Sequence, residues 1–464
     1  MRRPNIVFVM SDDHAAHAIG AYGSTINTTP QLDRLADGGM RFDNCFCANA
    51  ICAPSRASIL TGTYNHVNGV MAMANPFDAG QPSFPPLLQR AGYQTALFGK
   101  WHLGHGPEHD PQGFDTWQVL PGQGDYHDPV MLTAEGELRH SGYVTDIITD
   151  LSLEWLRQRE LDRPFCLLVH HKAPHRPWEP APRHADLYQD PIPEPATFRD
   201  EYATRSAAAA SARMRVADHM KPADLKQPVP DGLDPQAEAS WKYQRYIGDY
   251  LRCVAAIDEG VGQLLDYLDC EGIADDTIVI YTSDQGFFLG DHGWYDKRFI
   301  YEHSLRMPLL VRYPAEIEAG SSSDDLVSNV DFAQTLLDWA GVEAPDRMQG
   351  DSLRPIARGQ APDNPRQAVY YRYWQHGDPE HGVWAHYGIR THEHKLVYFY
   401  NQGFGLPGTS DHGAPPAWEL YDLRADPDEL NNVWDDPAYA SVREAMTAEL
   451  ARQQKQVGDV PQHI

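Results

Sequence analysis

The sequence predicts an α/β protein with a large, mostly parallel sheet flanked by helices, followed by a smaller C-terminal α+β domain that carries an antiparallel sheet. Up to about residue 365, short apolar β-branched runs alternate with amphipathic stretches of helical spacing. Beyond that point, alternating aromatic segments precede one closing helical stretch. The length of 464 residues also exceeds what one hydrophobic core usually serves. We therefore expect a large domain over residues 1–365 and a small domain over residues 366–464.

The individual elements follow from apolar periodicity and from the residues that begin or end helices. The run NIVFVM has the composition of a strand buried on both faces, and TPQLDRLADGG begins with Thr-Pro and ends with Gly, as helices do. The same reasoning predicts strands at 5–10, 93–99, 165–171 and 276–284, and helices at 29–39, 145–159 and 243–270. Residues 176–241 are rich in Pro, Ala and Asp, which indicates a long insertion. In the small domain we expect strands within 367–374, 386–400 and 418–423, and a helix near 437–455.

Composition excludes several classes of protein. The formal net charge of −27 argues against nucleic acid as a partner, because nucleic-acid binding rewards basic patches. No apolar stretch approaches the roughly 20 residues of a membrane helix, so we expect no membrane span. The chain as given predicts a cytoplasmic protein, or a periplasmic one if an upstream signal was removed. The six cysteines form no CxxC pair and no zinc pattern, and they are too few for a disulfide scaffold.

Charged side chains follow four of the predicted strands at the point where each strand ends. In a parallel sheet these carboxyl ends share one edge, where ligands bind. Asp12, Asp13 and Asp284, together with the amide of Gln285, make an oxygen-rich set that suits Ca²⁺ or Mg²⁺ better than zinc. Nearby basic groups would hold an anionic tetrahedral group and protonate its leaving oxygen; they are Lys100, His102, His175 and Lys297.

Several motifs together resemble the type I sulfatases of the alkaline-phosphatase superfamily. CAPSRASILTG, at residues 52–62, resembles the first signature of that family, and GYQTALFGKWH, at residues 92–102, resembles the second. APHRP and YTSDQGFFLGDHGWYDKRFIYEHSLRMP follow in the order that the family has, and the resemblance covers nearly the whole chain. Within the family, the sequence is most similar to bacterial N-acetylglucosamine-6-sulfatase-like enzymes.

The resemblance implies that Cys52 is oxidised after translation to Cα-formylglycine by a formylglycine-generating enzyme, whose recognition rule Pro54 and Arg56 fit. The hydrated aldehyde would be the nucleophile: one hydroxyl attacks sulfur, and the second loses its proton as sulfate is expelled. The implied metal ligands are Asp12, Asp13, Cys52, Asp284 and Gln285, with calcium the usual ion and magnesium possible. Gln285 stands where many members have Asn or His. The implied catalytic residues are Cys52, Arg56, Lys100, His102, His175 as general acid, and Lys297.

The same resemblance predicts a sulfate monoester on a sugar as substrate, with 6-sulfated N-acetylglucosamine as the first candidate. Candidate sugar-binding residues are Trp178, Trp374, His376, His386 and Arg390, although packing of the small domain explains them equally well. Phosphonate monoester or phosphodiester hydrolysis by the same machinery is the alternative activity. A non-catalytic protein that binds sulfated glycans is a further alternative, but it would lack part of the machinery found here. The sequence leaves the oligomeric state open.

Overall fold

A computed structural model describes residues 3–362, 364–410, 414–459 and 461 of the chain. The strands are β1 (Asn5–Ser11), β2 (Met40–Phe42), β3 (Cys45–Phe46), β4 (Gln94–Lys100), β5 (Thr116–Leu120), β6 (Val130–Thr133), β7 (Gly136–Arg139), β8 (Phe165–His170), β9 (Thr277–Ser283), β10 (Phe288–Leu289), β11 (Tyr295–Asp296), β12 (Leu309–Arg312), β13 (Ser321–Ser323), β14 (Val327–Ser328), β15 (Val369–Tyr373), β16 (His386–Arg390), β17 (His394–Phe399) and β18 (Ala417–Asp422). The α-helices are α1 (Pro30–Asp37), α2 (Cys52–Thr61), α3 (Asn65–Asn68), α4 (Phe84–Arg90), α5 (Val144–Gln158), α6 (Ala207–Ser211), α7 (Val216–His219), α8 (Pro222–Leu225), α9 (Pro235–Cys270), α10 (Glu302–Leu305), α11 (Phe332–Trp339), α12 (Arg354–Ala357) and α13 (Ala440–Val457).

The large sheet has ten strands in the order β13-β2-β12-β9-β1-β8-β4-β5-β6-β7. Its central strands β9, β1, β8, β4 and β5 are parallel, which confirms the predicted parallel sheet, and the antiparallel strands lie towards its two edges. Apolar periodicity did not predict β2, β5, β6, β7, β12 and β13 of this sheet. Strands such as Ser321–Ser323 and the exposed Gly136–Arg139 carry little apolar pattern, so periodicity could not reveal them.

Helices cover both faces of the sheet, and alternate residues of β1 pack into two different cores. Val7 and Val9 lie in the core formed with α1, α5 and α9. Ile6 and Phe8 lie in the opposite core, which includes α2, α4 and α11. Burial on both faces explains why the run NIVFVM is continuously apolar rather than alternating.

Residues 176–234 wrap over this framework with only short helices, as the predicted insertion required. The long helix predicted over 243–270 starts earlier than expected, because α9 begins at Pro235. The helix starts there because the Asp234 carboxylate accepts hydrogen bonds from the backbone of Gln236 and Ala237, both at 2.9 Å. Among the described residues, no helix has the length and apolar character needed to cross a bilayer.

The C-terminal sheet is antiparallel in the order β15-β16-β17-β18, as predicted. One of its faces packs on α13, through residues such as Tyr370 and Ile389. The other face, which includes Val369 and Tyr371, joins the core of the large sheet. The small sheet is thus anchored to the part of the chain that carries the strand-end residues.

Lys395 of β17 links this sheet to α10. Its ammonium lies 3.1 Å from Glu302 and 2.6 Å from Glu429, and the lysine is fully buried. We expect Lys395→Met to lower the free energy of unfolding by about 3–5 kcal/mol, because the buried Glu429 carboxylate loses its ion-pair partner and Glu302 keeps only Arg390. Denaturant unfolding measures this. The matched control is Arg424→Met, whose exposed pair with Glu393 should contribute at most about 1 kcal/mol. Equal effects of the two substitutions would contradict the assignment.

Candidate active site

Strand register brings the three predicted carboxylates together. Ser11 at the end of β1 pairs with Ser283 at the end of the parallel strand β9, so the residues that follow, Asp12 and Asp284, emerge side by side. The backbone N–H of Asp13 donates to Asp284 Oδ1 at 3.2 Å, and Asp13 takes a positive φ of 71° there. One carboxylate oxygen from each of the three aspartates lies within 4.8 Å of the others, and all three residues are buried.

Cys52 and Arg56 approach this carboxylate cluster from the first turn of α2. Cys52 Sγ lies 3.2 Å from Asp12 Oδ1. Four residues on, and so on the same face of the helix, Arg56 donates from Nε to Asp284 Oδ2 at 3.0 Å and from Nη1 to the carbonyl of Lys100 at 2.8 Å. Burial raises the pKa of the Cys52 thiol to about 12, so the unmodified thiol is neutral and is a poor nucleophile.

Two lysines from different segments of the chain contact the cluster. Lys100, the last residue of β4, contacts Asp12 and the amide oxygen of Gln123, and Lys297 contacts Asp13. Both lysines are almost completely buried. Burial lowers the pKa of Lys100 well below its usual value, whereas for Lys297 the charge of Asp13 outweighs burial and raises the pKa.

Gly99 allows Lys100 to reach this position. Its φ is 109°, and a Cβ at residue 99 would collide with the carbonyl oxygen of His170 on β8. Glycine therefore lets β4 lie directly against β8 beside the lysine.

Both predicted histidines lie at the site. His175 Nε2 is 3.9 Å from Asp13 Oδ2, and its Nδ1–H donates to the carbonyl of Arg176 at 2.8 Å, which orients the ring. His102 Nδ1 is buried and has no hydrogen-bond partner among the described residues. Burial, followed by the charge of Lys100, lowers the pKa of both rings well below the usual value, so both are neutral before substrate binds.

The residues present fit a bound divalent cation. Three buried carboxylates supply hard oxygen ligands, and Gln285 Oε1 is buried with no hydrogen-bond partner in the described part of the chain. The formal charges of the three aspartates are matched by those of Arg56, Lys100 and Lys297. A divalent ion would therefore leave the site positive, as an anionic substrate needs in a chain of net charge −27.

The five residues predicted to line a sugar pocket make packing contacts in this structure, and their role in sugar binding stays a prediction. Trp178 is fully buried, with its ring centre 4.8 Å from that of Tyr246. His386 is enclosed by aromatic rings, including Phe399 at 4.9 Å, and its Nε2 accepts from the backbone of Ile300 at 3.1 Å.

The remaining three are held in the same way within and around the small sheet. The buried His376 accepts from the backbone of Ala385 at 3.1 Å through Nδ1. Trp374 lies against the guanidinium of Arg372, whose carbon is 3.4 Å from the ring centre. Arg390 pairs with Glu302 at 3.2 Å. Large aromatic and basic residues pack cores as often as they line sites, and sequence cannot separate the two uses.

The sequence analysis also missed groups beside the predicted machinery. Gln123 contacts the Lys100 ammonium, but a lone Gln in a loop carries no signal. Four further residues form what we call the interdomain cluster, with Asp296 and Arg298 from the large domain and Asp378 and His381 from the small one. Arg298 Nη2 lies 2.8 Å from His381 Nδ1, and His381 also contacts Asp378 and Asp296, at 2.9 and 3.3 Å. Arg298 immediately follows Lys297 in the chain, so the cluster adjoins the candidate active site through that lysine.

The fold and the strand-end site together are those of a hydrolase of anionic esters, and comparisons with known proteins identify the ester as sulfuric. A family model described as Sulfatase matches residues 4–342, and one described as N-sulphoglucosamine sulphohydrolase, C-terminal, matches residues 290–456. The chain belongs to the sulfatase family.

Individual relatives cover the chain from end to end. It is 44% identical to the N-acetylglucosamine-6-O-sulfatase of Bacteroides thetaiotaomicron, over 99% of this chain and 87% of that protein. A solved complex of a protein with its substrate D-glucosamine-2-N,6-O-disulfate superposes with a TM-score of 0.92 at 44% identity, over 99% of both chains. The phosphonate monoester hydrolase of Agrobacterium radiobacter shares the fold, with a TM-score of 0.76 at 23% identity over 98% of this chain and 96% of that one.

We expect Asp284→Asn to weaken Ca²⁺ binding at least about 100-fold, because a cation site of this kind depends on its carboxylate charge. Isothermal titration of metal-free protein measures the affinity. Asp275→Asn, on the exposed surface, is the matched control and should bind as the wild type does. Unchanged binding in Asp284→Asn would place the ion elsewhere.

Proposed function

We propose that this chain removes the 6-O-sulfate from glucosamine units of sulfated glycans, with Cys52 converted to formylglycine and Ca²⁺ held by Asp12, Asp13, Asp284 and Gln285. The observation that carries the chemistry is the position of Cys52 Sγ, 3.2 Å from a carboxylate of the buried cluster. The substrate is supported by the full-length relatives, one named for N-acetylglucosamine-6-O-sulfate cleavage and one bound to a 6-O-sulfated glucosamine. Conversion of Cys52 requires a formylglycine-generating enzyme as a maturation partner.

Calcium fits these residues better than magnesium. Ca²⁺ accepts six to eight oxygen ligands in flexible geometry, whereas Mg²⁺ demands a near-ideal octahedron and retains waters. The site offers many oxygens without octahedral symmetry, from three carboxylates, a long Gln side chain and residue 52. When bound, the ion would offset the negative charge of the sulfate group and polarise its oxygens.

The neighbours of residue 52 have distinct tasks. The hydrated aldehyde would supply two hydroxyls, one to take up the sulfuryl group and one whose deprotonation expels sulfate. Asp12, in contact with residue 52, is placed to accept a proton from the attacking hydroxyl. Arg56 holds Asp284 in position. Lys100 and Lys297 would bind the outer oxygens of the ester and stabilise the charge that develops on them.

His175 is placed to protonate the departing sugar oxygen. With Nδ1–H bound to the Arg176 carbonyl, Nε2 is the nitrogen that faces the carboxylate cluster. Burial and the neighbouring lysines keep the pKa of the free imidazole low. The negative charge of a bound sulfate ester would raise it again, so that protonation accompanies substrate binding.

The aldehyde is tested by mass and by activity. The peptide that contains residue 52 should weigh about 18 Da less than its cysteine form, the balance of losing sulfur and two hydrogens while gaining one oxygen, a change distinct from ordinary thiol oxidation. Cys52→Ala should lose nearly all turnover and keep its fold by circular dichroism. Cys47→Ala replaces another buried cysteine and is the matched control. This variant should retain activity. Full activity of protein with wholly unmodified Cys52 would contradict the proposal.

For His175→Ala we expect turnover of sugar sulfates to fall about 10²–10⁴-fold, because a poor leaving group needs a proton. An activated aryl sulfate, whose leaving group needs none, should lose far less. The comparison of kcat/KM on the two substrates is the readout. An equal loss on both would remove His175 from the acid role.

The interdomain cluster is the part of the site that we assign to sugar recognition, since it lies next to Lys297 and joins both domains. His381→Ala should depress turnover of 6-O-sulfated glucosamines at least about 10-fold while sparing an aryl sulfate. A sugar hydroxyl that loses its hydrogen-bond partner in a buried site binds much less well, whereas an aryl sulfate has no such hydroxyl. His392→Ala, on the exposed turn after β16, is the control. A panel that includes phosphonate monoesters completes the test, and faster phosphonate than sugar-sulfate turnover would overturn the substrate assignment.

A further inference from the structure

A second group of metal-competent side chains lies outside the carboxylate cluster. His17, Asp291 and His303, which we call the histidine–aspartate cluster, come from three separate segments of the chain: the short helical turns Ala16–Ala18 and Asp291–Gly293, and helix α10. His17 Nε2 is 3.2 Å from Asp291 Oδ2, and His303 Nε2 is 3.4 Å from Asp291 Oδ1. One ligand atom from each residue lies within 4.8 Å of the others.

The cluster is held in place and remains reachable. The side chain of Asp291 is 8% exposed, whereas those of His17 and His303 are 33% and 23% exposed. The Leu289 backbone N–H donates to Asp291 Oδ2 at 2.9 Å and fixes the carboxylate. His17 Nε2 is shielded from solvent and makes no well-directed hydrogen bond among the described residues, despite its closeness to Asp291. A nitrogen in that position has a lone pair or proton that faces the space shared by the three groups.

We propose that the histidine–aspartate cluster binds one first-row transition-metal ion of the Zn²⁺ class, with water in the remaining position. Ligand bonds of about 2.0–2.1 Å in tetrahedral geometry separate neighbouring ligand atoms by about 3.3 Å. His17 Nε2 lies 3.2 Å from Asp291 Oδ2 and His303 Nε2 lies 3.4 Å from Oδ1, so each nitrogen is close to that edge length from one oxygen of the carboxylate, which can bind an ion through either oxygen. Two imidazoles and one carboxylate are also the ligand types that zinc prefers, in contrast to the oxygen-only set that favours calcium.

The protonation states agree with this geometry. Burial lowers the pKa of His303 to about 4, so its imidazole is neutral at pH 7 and has a free lone pair. Burial opposes ionisation of Asp291, but His303 and His17, which are protonated at the acidic pH where this carboxyl titrates, outweigh it and lower the pKa of the carboxyl, so Asp291 is ionised at pH 7. The nearby His292 ring lies 6.1 Å from that of His303 and pairs with Asp200 instead.

The position of the cluster suggests what such an ion would do. His17 follows Asp12 and Asp13 in the chain, Asp291 follows Asp284 and Gln285, and His303 follows Lys297. An ion bound to all three residues would cross-link the segments that carry the candidate active site. Its binding should raise the melting temperature, as any ligand of the folded state does.

The test titrates Zn²⁺, and separately Co²⁺, into the full chain kept in excess Ca²⁺, so that the oxygen-rich site is filled. We expect one tightly bound Zn²⁺ per chain, a visible absorption band typical of tetrahedral Co²⁺, and a higher melting temperature. His17→Gln and His303→Gln should each weaken Zn²⁺ binding at least 10-fold and remove the Co²⁺ band. Two single variants are used so that the result does not depend on either one folding.

The controls separate this site from the proposed calcium site. Asp284→Asn should keep the Zn²⁺ affinity and the Co²⁺ band, as should His392→Gln on the exposed surface, whatever happens to sulfatase activity. Zn²⁺ binding that survives in both histidine variants would overturn the proposal. Zn²⁺ binding weaker than millimolar in the wild type would overturn it too, since the histidines would then serve only as partners of the Asp291 carboxylate.

Discussion

The parallel pairing of β1 with β9 is the constraint on which the rest of the site depends. Because Ser11 lies opposite Ser283, both strands end at the same level and deliver Asp12 and Asp284 to one point at the edge of the sheet. Asp13 is then held by its own backbone N–H on the Asp284 carboxylate. A shift of one residue in this register would turn the carboxylates to the opposite face of the sheet and leave α2 without its partners.

Three adjacent buried carboxylates are stable only if their charge is compensated. Desolvation raises the pKa of Asp13 to about 6, even though Lys297 lowers it, which shows how costly the arrangement is. Arg56 and the two lysines supply the compensation from α2, from the end of β4 and from the segment after β11. The folded state thus requires these basic groups. Their charges also allow the cluster to bind a cation and a sulfate ester.

Much of this arrangement was predictable because it follows from local pattern and from the edge of a parallel sheet. Both central strands have an apolar core, IVFVM and IVIY, and both end in a Ser that is followed at once by Asp, so the strands and the position of the acidic residues could be read from sequence. The short polar edge strands could not, because they lack apolar periodicity. The predicted sugar-binding residues pose a different problem. His386 and Trp178 have the composition of a binding site, but their environment depends on long-range packing. The pairing of Arg298 with His381 across the two domains likewise leaves no signal in the sequence, because the two residues are far apart in the chain.

The central claim is that strand register and α2 converge on one cation site that includes residue 52. The most direct measurement is a crystal structure of the Ca²⁺-loaded protein, with data collected at long wavelength for the anomalous signal of calcium. We predict an anomalous peak about 2.3–2.6 Å from oxygens of Asp12, Asp13, Asp284 and Gln285, with the residue 52 side chain beside it. Carboxylates that remain bound to Lys100 and Lys297 at saturating Ca²⁺, with no peak among them, would contradict it.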